Sequence, residues 1–182
     1  MIHTFIGRTP VLGARAYVAD TATLTGDIVA GDDTGFWFGA VLRGDVNWIR
    51  IGDRTNIQDN AVVHVTHHTA PTQIGSGVTV GHGAIVHGCT IEDDVLIGMG
   101  SIILDKAVVG HDSIVGAGAL VTGGTIIPPR SMVYGNPARV VRQLTDEEVA
   151  SIGHYARNYV RYKNIQLGIE VPSENPFYTP KQ

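Results

Sequence analysis

Apolar residues recur along this chain at intervals of six. Val18, Leu24, Ala30, Phe36 and Leu42 share one register, which slips near Trp48 and resumes at Ile51, Ile57 and Val63. After an interruption at residues 65–73 the pattern continues at Ile74, Val80 and Val86. One step of five leads to Ile91, and the spacing of six then holds through Ile97, Ile103, Val109, Val115 and Val121. Glycine directly follows many of these positions (Gly31, Gly52, Gly75, Gly81, Gly98, Gly110, Gly116), and a small or β-branched residue sits four places on (Ala22, Thr55, Ala61, Val78, Ala84, Ser101, Ser113, Ala119). An internal repeat of this length marks a stacked architecture.

The pattern predicts an all-β solenoid, a parallel β-helix in which each unit is a short strand plus a turn with one apolar side chain pointing inward. Small residues let the corners close, and glycines supply turn conformations that a Cβ disfavours. No coil buries its apolar face alone, so coils stack into one continuous core. Resemblance to known hexapeptide proteins implies a left-handed, triangular helix with three units per coil. The solenoid is expected over residues 1–143, with its last coils ending near Pro128-Pro129 and Tyr134-Gly135-Asn136-Pro137 turning the chain away. Residues 144–168 read as a C-terminal α-helix: Thr145 followed three places later by Glu148 is a capping box, and Val149, Ile152, Ala156, Tyr159 and Val160 form a stripe at helical spacing. Gly168 is the expected stop. The Pro-rich stretch at 169–182 is expected to be irregular.

Composition narrows the function. A net charge of −4 with no basic run gives no general attraction to nucleic acid. No apolar stretch approaches the roughly 18 residues of a membrane span, and the first residues lack the basic and apolar regions of a signal peptide. A single cysteine, Cys89, excludes an internal disulfide and fits a reducing compartment, so the expected location is the cytoplasm.

The repeat converts positions into directions, and this bears on the histidines of segment 56–89. His64 follows the inward Val63 by one and His87 follows Val86 by one. Residues 65–73 can bulge out as a loop, so the two should stack on adjacent coils, roughly 4.8 Å apart, which suits two ligands of one metal. His82, two places after Val80, has another phase and cannot easily share that ion. It can reach an equivalent ion on a neighbouring subunit of a cyclic homotrimer, or act only as a contact there. Asp59, two after Ile57, shares the phase of His82 one coil earlier and is expected beside it. Arg43-Gly44-Asp45 reads equally as an intersubunit ion pair and as part of a catalytic group. His67 and His68 fall in the inserted loop and are expected to be exposed. Cys89 reads as a buried small residue rather than a fourth ligand.

These motifs, Arg43-Gly44-Asp45, Asn56-Ile57-Gln58-Asp59, His64, and His82 with His87 in GHGAIVHGC, resemble those of the γ-class carbonic anhydrases and cover most of the chain. The resemblance implies an intersubunit metal site in a trimer, with His64, His82 and His87 as ligands to Zn2+, or alternatively Fe2+ or Co2+. It implies that Gln58 hydrogen-bonds the metal-bound water with Asn56 beside it, and that Arg43 and Asp59 pair across the interface with help from Asp45. Tyr134 and Asn136 are a looser match to groups lining the site. Three neutral imidazoles leave the ion its charge and an open position, which brings the pKa of bound water to about 7; the resulting hydroxide attacks CO2 to give bicarbonate. The family's best-characterised members carry a glutamate where this chain has Val46, and an acidic loop where it has VTHHTAPTQ. Those acids are associated with proton export. Two other classes compete: an acyl-CoA acyltransferase or metal-dependent thioesterase, and a non-catalytic trimeric module with a structural metal.

Overall fold

The computed structural model describes residues 1–178, and the end of the expected tail, residues 179–182, lies outside the described residues. The chain winds into a parallel β-solenoid of about 7 turns with one helix after it. Three faces run along its axis. The first stacks Tyr17–Val18, Gly35–Phe36, Asn56–Ile57, Thr79–Val80, Leu96–Ile97, Ile114–Val115 and Ser131–Gly135. The second carries Val62–His64, Ile85–His87, Ile102–Ile103 and Leu120–Val121 above the first halves of two longer strands, Thr23–Ala30 and Val41–Ile51. The third carries the second halves of those two strands and then Thr72–Ile74, Thr90–Ile91, Val108–Val109 and Ile126–Ile127.

The six-residue period is the core. The residues of that series from Leu24 to Val121 are at most 5% exposed, and the small residues four places on are buried with them. Each fully buried Val, Leu or Ile contributes about 1.5–3 kcal/mol relative to exposure. Glycine is not the general answer at the corners. Between the third and first faces the left-handed residue is Arg15, Asp33, Arg54, Asp94, Asp112 or Arg130, with Gly77 the exception. Ladder bonds on both sides hold these side chains in a conformation they would not choose alone.

The stacking continues past Pro128-Pro129, where the sequence suggested it would stop. Ser131–Gly135 adds a parallel strand beside Ile114–Val115, then folds back as an antiparallel hairpin with Ala138–Gln143. The prolines occupy a corner turn, where a missing N–H costs no ladder bond. Helix α1 spans Asp146–Gln166, with Thr145 as N-cap and the capping box to Glu148 formed. It lies along the first face. Ile152 is packed among Met132, Leu144, Leu96, Ile114 and Val149, Ala156 is buried, and Tyr159 stands edge-on to Trp37 at 5.3 Å. Lys163, which no apolar stripe would include, is fully buried and held 2.8 Å from Asp33.

Candidate metal centre

Failures of the period place the polar groups. From Leu42 to Ile51 the chain spends nine positions where the repeat uses six, and from Val63 to Ile74 it spends eleven. Both excursions leave at the corner between the second and third faces. They meet there: Asn47 Nδ2 donates to the Thr66 carbonyl at 3.1 Å, and Thr66 bridges Ala70 to make the loop a small hairpin. The first excursion brings Asp45 to His64.

His64 and His87 are register partners on adjacent coils. Their ring centroids are 5.1 Å apart, and His64 Nδ1 lies 3.1 Å from His87 Nε2. Each ring has a carboxylate on its other nitrogen: Asp45 Oδ1 is 3.1 Å from His64 Nε2, and Asp105 Oδ1 is 2.6 Å from His87 Nδ1. The Thr72 hydroxyl ties the two coils together, donating to the His64 carbonyl (2.5 Å) and accepting from Gly88 N–H (2.9 Å).

His82 stands at the opposite edge of the second face. Its Nδ1 is 2.8 Å from Asp59 Oδ2, and its Nε2 is 3.5 Å from the Tyr159 hydroxyl. Among the described residues no three His, Cys, Asp or Glu side chains of one chain gather as a metal cluster.

The electrostatics suit metal ligation. Burial lowers the pKa of His64, Arg43 and His87 act in the same direction, and Asp45 opposes them, so the neutral, ligating form of this ring is favoured. Burial acts to raise Asp45, but the bonds from His64 and Arg43 outweigh it and leave the acid below its ordinary value. Asp105 is likewise raised by burial and lowered more by Thr66 and His87. Tyr159 is pushed up to about 12, first by burial and then by Asp59.

Gln58 and Asn56 are buried in a polar row on the first face: Gln58 Nε2 donates to Asn56 Oδ1 (3.2 Å), and Asn56 Nδ2 donates to Thr79 Oγ1 (3.0 Å). Gln58, His82 and Tyr159 line one cleft between this face and α1, together with Met99, Tyr155 and Tyr162. Within one chain Arg43 pairs with Asp45, while Asp59 is taken by His82. Tyr134 and Asn136 sit in the terminal hairpin, and among the described residues neither is bonded to a site histidine. Cys89 is buried, its thiol pushed up to about 12. His67 and His68 are exposed in the loop, with ring centroids 3.7 Å apart.

Sequence reasoning missed Asp105, Thr66 and the approach of Tyr159. Asp105 carried a usable signal: it is an acid one coil beyond His87, as Asp59 is an acid one coil before His82.

A carbonic anhydrase of Geobacillus kaustophilus is 45% identical over 170 residues, 91% of this chain and 93% of that protein. The mitochondrial gamma carbonic anhydrase 1 of Arabidopsis thaliana is 48% identical over 157 residues, 84% of this chain. The chain belongs to the γ-class carbonic anhydrase family. It spans 57% of the length of that Arabidopsis relative. Residues 88–123 also match the family of bacterial transferase hexapeptides (six repeats). A crystal structure of a hexapeptide transferase family protein from Anaplasma phagocytophilum superposes with a TM-score of 0.86 at 38% identity, covering 90% of this chain and 96% of that one. The γ-class relatives imply a metal, and the donors here fit one. Two imidazoles converge with their outer nitrogens on carboxylates, the arrangement that orients ligating histidines in metal sites.

Proposed function

We propose that this chain hydrates CO2 to bicarbonate as a homotrimer, with zinc, or iron(II) or cobalt in its place, held by His64 and His87 of one subunit and His82 of the partner subunit. The observation that carries this reading is the division of the histidines. Two converge at one edge of the second face while the third stands at the other edge, carboxylate-backed and open to solvent. Between the edges runs an outward apolar ladder, Val41, Val62, Ile85, Ile102 and Leu120 in register on successive coils. A cyclic arrangement would cover that ladder and make every site equivalent.

Three neutral imidazoles would hold a divalent ion at its full charge, and the ion would supply Lewis acidity toward water at neutral pH. The chain's residues do the rest. Asp45, Asp59 and Asp105 fix the rings. Gln58, anchored on Asn56, has its amide oxygen left to orient water. Arg43 holds Asp45 against His64. The reaction needs neither nucleic acid nor membrane, and no helix among the described residues is long and apolar enough to cross one; with its one buried cysteine, the protein is assigned to the cytoplasm.

Metal analysis with light scattering, followed by a stopped-flow CO2 hydration assay on the metal-replete protein, tests this. A trimer with one ion per interface and measurable hydration is expected, and His64→Ala, His82→Ala or His87→Ala should each deplete the metal. A metal-loaded monomer, or full occupancy without hydration, would overturn the reading. The hexapeptide transferase match favours acyl transfer from coenzyme A as the second reading. That chemistry uses histidine as a general base and would survive chelation.

A further inference from the structure

We propose that Asp105, braced by Thr66, is a positioning residue that sets the tautomer of His87 and thereby leaves a lone pair on the ring nitrogen that faces His64. The inference rests on reading His87 as a metal ligand. Asp105 lies outside the motifs that brought His64, His82 and His87 to notice.

Its carboxylate is used at both oxygens: Oδ1 meets His87 Nδ1 at 2.6 Å, and Oδ2 accepts from the Thr66 hydroxyl at 2.5 Å. A carboxylate offers only lone pairs, so the imidazole nitrogen facing it must carry the proton. In a neutral ring the other nitrogen, Nε2, then keeps its lone pair. That nitrogen is the one 3.1 Å from His64.

The approach is built into the backbone. Asp105 is one position out of phase with His87, two after the inward Ile103 where His87 is one after Val86, so the carboxylate must lean back across the corner. It crosses above Gly88 (φ 57), where a Cβ would meet Asp105 Oδ1 at 2.7 Å and the Ala70 side chain at 2.9 Å. Thr66 belongs to the inserted loop, and Asn47 holds that loop by the Thr66 carbonyl. The two excursions from the repeat thus set Asp105, and Asp105 sets His87.

The test uses the full chain labelled with 15N-histidine. Long-range 1H–15N spectra of metal-free protein, with His87 assigned from a His87→Gln variant, should show the Nδ1-protonated tautomer in the native chain. Asp105→Ala should shift it toward the Nε2-protonated form, and Asp105→Asn, which keeps an acceptor oxygen, should restore it. Competition with a chromophoric chelator should show Asp105→Ala binding Zn2+ about 10- to 100-fold more weakly, with Asp105→Asn closer to native. Thr66→Val, which keeps the shape and removes the hydroxyl, should weaken binding in the same direction and carries the test if Asp105→Ala fails to fold. An Nε2-protonated His87 in the native chain, or an unchanged tautomer and zinc affinity in Asp105→Ala and Thr66→Val, would overturn the proposal. A native chain that shows the Nδ1-protonated tautomer, lost in Asp105→Ala, yet binds no metal would sink the ligand reading of His87 and leave the positioning intact.

Discussion

The burial of Lys163 yields a quantitative expectation for how α1 is held. Its ammonium is fully buried, 2.8 Å from Asp33 Oδ1 and 2.6 Å from Asn164 Oδ1. Asp33 is also gripped by Arg15, whose Nε lies 2.9 Å from Oδ1. The Arg15 bond is the largest influence on Asp33; Lys163 adds to it, burial opposes, and the acid falls from 3.8 to about 2. At 1.36 kcal/mol per pKa unit that depression corresponds to about 2.4 kcal/mol, and solvent around the half-exposed Arg15 reduces it to about 1–2 kcal/mol. Asp33→Asn costs more, because it strands a buried charge, a loss of about 3–5 kcal/mol when the pair is fully enclosed. Asn164 still accepts from Lys163, so about 3 kcal/mol is expected. Lys163→Met keeps the stem packed and leaves Asp33 with Arg15, at about 1 kcal/mol, and the double variant should recover most of the Asp33→Asn loss. Hydrogen exchange of the α1 amides reads this as a local opening free energy. The pH dependence has a definite sign. A carboxylate with a depressed folded pKa contributes stability above its unfolded value near 3.8 and loses it as pH falls through about 2, so the gap between native and Asp33→Asn chains should close over that window. Equal costs for the two single variants, or a gap that persists down to about pH 2, would refute the reasoning.

Tyr159→Phe removes the hydroxyl beside His82 and keeps the ring on Trp37. With its pKa pushed up to about 12, the phenol stays protonated across neutral pH and, from 3.5 Å, competes for the His82 nitrogen that Asp59 leaves free for a metal. Its loss should leave Zn2+ affinity unchanged or raise it by less than about tenfold, the worth of one hydrogen bond, and weaker binding in competition with a chromophoric chelator would refute this. His67 and His68 are exposed imidazoles on the loop beyond His64, and histidine is the side chain most often used to carry protons in catalysis. His67→Ala/His68→Ala should lower kcat at low buffer, leave kcat/KM nearly intact, and respond to added imidazole; equal loss of both parameters would exclude them. Cys89, buried with its thiol pushed up to about 12, should resist thiol reagents in the native protein and react on unfolding, and rapid native labelling would contradict its burial.

The repeat was readable because a period of six assigns each residue both a coil and a direction. That sufficed to bury Val63 and Val86, to stack His64 on His87 once residues 65–73 were allowed to bulge, and to set Asp59 beside His82 by shared phase. The capping box of α1 was equally local, since Thr145 and Glu148 are three residues apart. Contacts out of phase or across elements were not readable. Asp105 reaches His87 only because the corner at Gly88 leaves space for it, and Tyr159 reaches His82 only because α1 docks on the first face. The same docking buries Lys163 on Asp33 across 130 residues of sequence. Periodicity specifies which way a side chain points along its own strand. How far a corner closes, and where a helix comes to rest on a sheet, depend on packing against residues remote in the chain, and only the folded solenoid decides them.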